Sequence, residues 1–424
     1  MNRVGAILKI YLVILTSQLA SILFVFFHPA SAKMGSLTFL YVVNFSFLLP
    51  VLLFSMLIVG VLGVSRDALF YSIGNRRISV SLVVAAGMVF LGFLLMAYDR
   101  IFIRGIDYTS GLRAARYAWM ASGSGSWLSV IGNLLTPISF FSLIFLILLY
   151  DRLSFFIKIV SASSIFFGII GVSALNGGRS IVLIAIVFVL ICLCLKSRFS
   201  GSKGAGFKFV VVFVLVSAIG YASTIVESSA DMGGVSLERL TVLGVNSLFG
   251  ELKQDGAEVF QCSPVECLSV YLSAYLFHGQ WTTQAMYSLP VKPGSYALYP
   301  LSTFMERFGV IDEPLSPGVF SDSGAFVSLP GALYYDFGFL GVFLGGLFFG
   351  VALGICMTII ARSKRIGIFK LVFLFYFISI LILSPVVPAY GFVYLNILFF
   401  SFISFGIFLS IFSRGGFKIF KSRF

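Results

Sequence analysis

The chain has 424 residues, 59% of them hydrophobic and only 11% charged, with a mean hydropathy of +1.06. Soluble globular domains carry about 25% charged residues, so that class is excluded and an integral membrane protein is implied. The formal net charge of +13 points to membrane orientation rather than to nucleic acid, because of where along the chain the cations fall.

Apolar runs of about 20 residues, enough to cross about 30 Å of hydrocarbon as helix, recur from end to end. They predict ten spans, at 6–27, 37–64, 79–98, 126–149, 155–174, 180–196, 209–225, 333–361, 371–388 and 391–412. Alternating ten-residue strand patterns are absent, which favours a helical bundle over a barrel. No small-residue cleavage site follows the first run, which therefore reads as a retained span. An even number of spans puts both termini on one side. With the N-terminus in the cytoplasm, 19 of the 29 basic residues face inward, and of the 16 acids only Asp67 and Asp151 do. This is the bias that sets orientation. The chain then divides into an N-terminal membrane bundle (1–225), one large exterior segment (226–332) and a C-terminal membrane segment (333–424).

The second exterior segment, "YDRIFIRGIDYTSGLRAARYAWMASGSGSW", holds Arg100, Arg104, Arg113 and Arg116 against Asp99 and Asp107. This basic excess opposes the orientation bias, so topology does not explain it. Guanidinium groups bind phosphate with a planar fork of donors and never lose their charge; otherwise the same arginines pair with the two aspartates and lipid headgroups. Further on, "NGGR" joins two spans by a tight turn and sets Arg179 at the outer boundary. There it either reaches for headgroups or, beside Asn176 and two glycines, lines a binding niche.

Within 226–332, Cys262 and Cys267 in "FQCSPVECLS" predict a short disulfide rather than a metal site, since no His or Cys pair lies near. "SLERLTVLGVNSLFGEL" and "VYLSAYLFHGQWTTQAM" predict helices that lie on or dip into the membrane. His278 is the single histidine of this segment. It is either a hydrogen-bonded core residue or a general base with its pKa near the working pH. Asp336, in "YYDFG", is either a helix-capping acid or a second base. Tyr334, Tyr335 and Trp281 suit stacking on sugars as well as an interfacial belt. The chain has no DxD, H-E-x-x-H, G-x-S-x-G or phosphate-cradling loop, so no metal, no cofactor and no nucleotide-driven step is expected.

"YDRIFIRGIDY...GLRAAR", then "NGGRS" opening a span, the large exterior segment, and "GALYYDFGFLGVFLGGLFFGVALG" returning to the membrane together resemble the Wzy-type oligosaccharide repeat-unit polymerases of O-antigen and capsule assembly. Some members carry R-x10-G in their periplasmic loops, and this chain has it from Arg239 to Gly250 and from Arg307 to Gly318. The resemblance implies an all-α fold of about ten spans with one large periplasmic loop, similar to the GT-C-like architecture of glycan polymerases and ligases, in the bacterial inner membrane with both termini cytoplasmic. It implies metal-independent transfer of a glycan from undecaprenyl diphosphate to a second lipid-linked repeat unit, with a chain-length regulator as a partner. On that resemblance Arg179 and Arg100 bind the diphosphate, helped by Arg104, Arg113 and Arg116. Arg239 and Arg307 clamp diphosphate or glycan, Tyr335 stacks on sugar, and His278 or Asp336 is the base. The nearest alternative is an O-antigen ligase; a flippase or transporter would carry charge within its spans, and here the charge lies at their ends.

Overall fold

The computed structural model describes residues 3–63, 75–109, 111–122, 126–176, 180–199, 236–248, 250–252, 261–290, 294–307, 309–313, 315, 326–363, 367–391 and 393–415. The protein is an all-α membrane protein. Among the described residues seven helices are long and apolar enough to cross a membrane, and two shorter apolar ones accompany them. Nine of the ten predicted spans fall on these helices; the tenth, 209–225, lies outside the described residues.

The order is α1 (Arg3–Phe27), β1 (Ala30–Ala32), α2 (Leu37–Leu62), α3 (Asn75–Tyr98), α4 (Leu112–Ala121), α5 (Trp127–Leu135), α6 (Ser139–Leu149), α7 (Phe155–Ile165), α8 (Val172–Asn176) and α9 (Ser180–Phe199). Then come α10 (Leu237–Ser247), β2 (Gly250–Leu252), α11 (Pro264–Ala285), α12 (Tyr299–Arg307), α13 (Leu329–Arg362), α14 (Ile368–Leu383) and α15 (Val393–Gly415). A 3-10 turn at Thr136–Ile138 joins α5 to α6, and a π turn at Phe166–Gly171 joins α7 to α8. A second π turn, Asp99–Ile103, extends α3.

Serine begins many of these helices for a local reason. The first N–H groups of a helix have no acceptor within it, and a side-chain oxygen supplies one. Ser36, Ser126, Ser236, Ser263 and Ser328 each accept from the N–H three residues on. At α11 Glu266 reaches back to the Ser263 N–H and completes a capping box. Cys262, just outside that cap, is disulfide-bonded to Cys267 in the first turn, as the spacing predicts.

The closest helix pair is α2 and α13. Gly346, Gly350 and Gly354 form a stripe at four-residue spacing, and small residues let backbones approach where no hydrophobic effect drives association. A Cβ on Gly346 would lie 2.6 Å from the Phe47 carbonyl oxygen, and one on Gly350 2.8 Å from that of Pro50. Gly354 faces Ile58. The partner numbers rise together, so the two helices run parallel and Leu37 and Leu329 begin at the same end of the bundle.

Strand β1 pairs antiparallel with β2, Ala30 opposite Leu252 and Ala32 opposite Gly250, which ties the large segment to that end. The strand corrects an expectation: "SLERLTVLGVNSLFGEL" is helical only to Ser247. Beyond it Gly250 lies against the Trp281 ring and Val245, where a Cβ would collide. Trp281 is itself completely buried, in a small core with Val25, Leu40, Val245 and Leu252. It packs edge-on to His28 rather than waiting for a sugar.

Helix α11 dips into the bundle instead of lying along it. Its residues 278–285 are all buried. Gln280 accepts from Asn44 Nδ2 of α2 at 2.9 Å and donates to the Pro385 carbonyl at 2.7 Å. A buried polar side chain in an apolar bundle must find such partners or be expelled. The stripe gives a direct check. Gly350→Leu should lower stability by about 1–3 kcal/mol through overpacking, while Gly87→Ala, in open space, should leave it unchanged or higher. Melting temperatures of the purified protein in detergent separate the two, and equal shifts would count against the stripe.

Candidate functional site

Two polar clusters lie at the end of the bundle defined by β1 and β2. The first is built by the π turn after α3. A π turn inserts one residue and swings the following side chains around the axis. Here it turns Asp99 and Arg100 inward, both completely buried, and leaves Ile101, Phe102 and Ile103 exposed on the apolar side. Helix α3 runs parallel to α7 and α8, since Gly168 faces Val89 and Gly171 faces Phe93. That brings Arg100 to the C-terminus of α8.

Helix C-termini present carbonyls without partners and a partial negative charge, and both attract a cation. Arg100 donates through Nη1 to the Leu175 carbonyl and through Nη2 to Asn176 Oδ1, the asparagine of the "NGGR" turn. Tyr108 donates to the same Leu175 carbonyl at 2.9 Å. The Trp119 ring of α4 covers the guanidinium, 4.4 Å from Cζ to ring centroid, in a cation–π contact. Arg104 binds Asp99 Oδ2 through Nε at 3.0 Å and Ser122 Oγ through Nη1 at 2.9 Å. The arginines of this segment thus lock the ends of three helices together. Asp107 accepts from the Thr109 hydroxyl and backbone N–H, and these bonds hold its carboxyl below the ordinary carboxylate range.

The second cluster surrounds Asp336, completely buried on α13 two residues before a kink at Gly338 (φ 66°). Ser328, not Asp336, caps this helix. The Asp336 carboxylate instead accepts the N–H groups of Tyr296 (2.9 and 3.1 Å) and Ala297 (2.6 Å). It pins the 294–297 turn to the bundle. Tyr335 meets Tyr296 edge-on at 5.6 Å, and Tyr390, after α14, lies within range of the Asp336 charge. Burial, together with Tyr335 and Asp336, pushes the Tyr296 phenol well above its ordinary value, so it stays protonated as a donor. The Tyr335 and Tyr390 hydroxyls are buried without a hydrogen-bond partner.

Tyr394 of α15 packs on Phe140 at 6.2 Å, and Thr136, a turn earlier, contacts Met96 Sδ, just before Asp99.

His278 is bound to the chain that enters α13. It is completely buried in α11, and its Nε2 accepts the Phe326 N–H at 2.8 Å. The lone pair a base would use is therefore committed to holding the chain that enters α13. Arg239 is exposed on α10, and Arg116 is exposed on α4. The side chains of Arg113 and Arg307 and the whole of Arg179 lie outside the described residues. Of the sequence candidates, the structure brings Arg100 and Arg104 together beside Asn176, and Tyr335 and Asp336 into the tyrosine cluster.

Sequence reading passed over Trp119, Tyr296 and Tyr390, and it treated Asp99 as a counter-ion only. Asp99 had one legible signal, an acid directly at the end of a span. In comparisons with protein-family models, curated proteins and solved structures, nothing matches this chain.

The Asp336 cradle predicts a stability effect. Asp336→Ala orphans the N–H groups of Tyr296 and Ala297, at about 1–3 kcal/mol for each buried unpaired group, whereas Asp336→Asn keeps one acceptor and should lose less. Thermal melts of the two variants test this, and an unshifted Asp336→Ala melt would show that the turn holds without the carboxylate.

Proposed function

We propose that this chain polymerises undecaprenyl-diphosphate-linked oligosaccharide repeat units into O-antigen or capsular polysaccharide, as a Wzy-type glycosyltransferase at the periplasmic face of the bacterial inner membrane. One observation carries the reading: Arg100, sealed at one end of the bundle, donates to Asn176, which stands three residues before Arg179 in the sequence. Two stretches 76 residues apart, each odd for a membrane boundary, meet at Arg100 and Asn176. The same end carries the large segment, through β1 and β2.

The chemistry suits such a corner. When the anomeric carbon leaves its diphosphate, negative charge grows on the leaving oxygen, and fixed guanidinium groups stabilise it without reorganising. The Nη groups of Arg100 are engaged by Leu175 and Asn176, so Arg100 orients the corner with Arg104, and the diphosphate falls to the exposed Arg116 and, on the resemblance, to Arg179. Arg239 and Arg307, with Arg113, meet the diphosphate or glycan from the exterior segments. The buried tyrosines about Asp336 offer donors and faces to sugar.

Deleting the gene in its host and resolving the surface glycan on a gel tests the reading. The expected result is lipid capped by a single repeat. Glycan missing altogether from the lipid would indicate a ligase, and repeats stranded in the cytoplasm a flippase. Complementation with Arg179→Ala should restore protein but not long chains. Long chains of normal length in that strain would remove Arg179 from the site.

A further inference from the structure

Asp99 and Arg100 each leave one polar group unused. Both residues are completely buried, yet Asp99 Oδ1 and Arg100 Nε have no hydrogen-bond partner. Every other polar atom of the pair is engaged: Oδ2 by Arg104, Nη1 by Leu175 and Nη2 by Asn176. The two residues are neighbours in sequence and within range of each other's charge. An unpaired carboxylate oxygen and an unpaired guanidinium N–H are both costly away from water, and buried polar groups left open in this way mark places where another molecule completes the bonding.

The chemistry of the two vacancies selects the guest. One needs a donor and the other an acceptor. A hydroxyl supplies both at once, whereas a phosphate oxygen only accepts and is repelled by Asp99. We propose that Asp99 and Arg100 receive the attacking hydroxyl of the acceptor sugar, and that Asp99 is the general base. This rests on the polymerase reading and adds to it the residue that takes the proton. The hydroxyl proton passes to Asp99 Oδ1 as its oxygen bonds to the anomeric carbon of the donor. The bond from that carbon to the diphosphate oxygen breaks, and the diphosphate leaves with the electron pair. Arg104, on Oδ2, aims the carboxylate, as an orienting partner does for a general base. Helix α4 covers the pair through Trp119 on Arg100, and Ser122 just after it binds Arg104.

The test uses full-length protein in the deletion strain, reading the glycan ladder and protein level together. Asp99→Asn keeps the shape and an oxygen for Arg104 but takes no proton. Joining of repeats should fall by about 100-fold or more, the typical weight of a general base, while the purified variant still binds lipid-linked donor. Asp99→Glu should keep measurable polymerisation. Wild-type ladders from Asp99→Asn overturn the proposal. So do Asn and Glu variants that are folded and equally inactive, which would leave only a buried water at the pair. Should Asp99→Asn not accumulate, the pH–rate profile of Asp99→Glu decides: an acid limb displaced from wild type supports the base, and coincident profiles overturn it. A ladder untouched by gene deletion sinks the polymerase reading and this inference with it.

Discussion

A guanidinium sealed from water cannot shed its charge, so wherever the chain buries one it must bring acceptors to it. Arg100 imposes that constraint here. Its acceptors are the penultimate carbonyl and the closing asparagine of a helix reached 75 residues later, and its cover is a tryptophan on the helix between. Three segments that sequence order keeps apart are therefore fixed at one corner. The π turn makes this affordable: it turns Asp99 and Arg100 in together while their three successors stay on the apolar surface.

The rest of the bundle serves to set that corner on the same end as the large segment. The parallel glycine-mediated contact of α2 with α13 aligns Leu37 with Leu329, and the short β1–β2 pair stitches the large segment beside them. Asp336, one side of α13, holds the 294–297 turn. Buried amide and imidazole side chains hold α11 between them, Gln280 against α2 and the 385 carbonyl, His278 against residue 326. Each of these polar bonds is made where water is scarce, so each specifies a single arrangement more sharply than apolar contact does.

The spans were legible because hydropathy over about 20 residues is a physical requirement of crossing a bilayer and needs no partner to read. The arginine excess after α3 and the "NGGR" stretch were legible as anomalies, since a cation at a span boundary demands a reason. What each anomaly touches was not legible. Nothing in the local pattern says that Arg100 meets Asn176, that Asp336 serves the backbone of residues 296 and 297 rather than its own helix, or that Gly250 is extended to make room for Trp281. These depend on long-range packing. His278 shows the same limit from the other side: composition marks it as a candidate base, and only the Phe326 N–H on its Nε2 reveals the bond it already makes.

The most direct measurement is reconstitution of the purified full-length protein in lipid with a synthetic undecaprenyl-diphosphate-linked repeat unit. The account predicts glycans that lengthen with time, with one undecaprenyl diphosphate released for each repeat joined. Repeat units recovered unjoined, from protein shown to be folded, would contradict it.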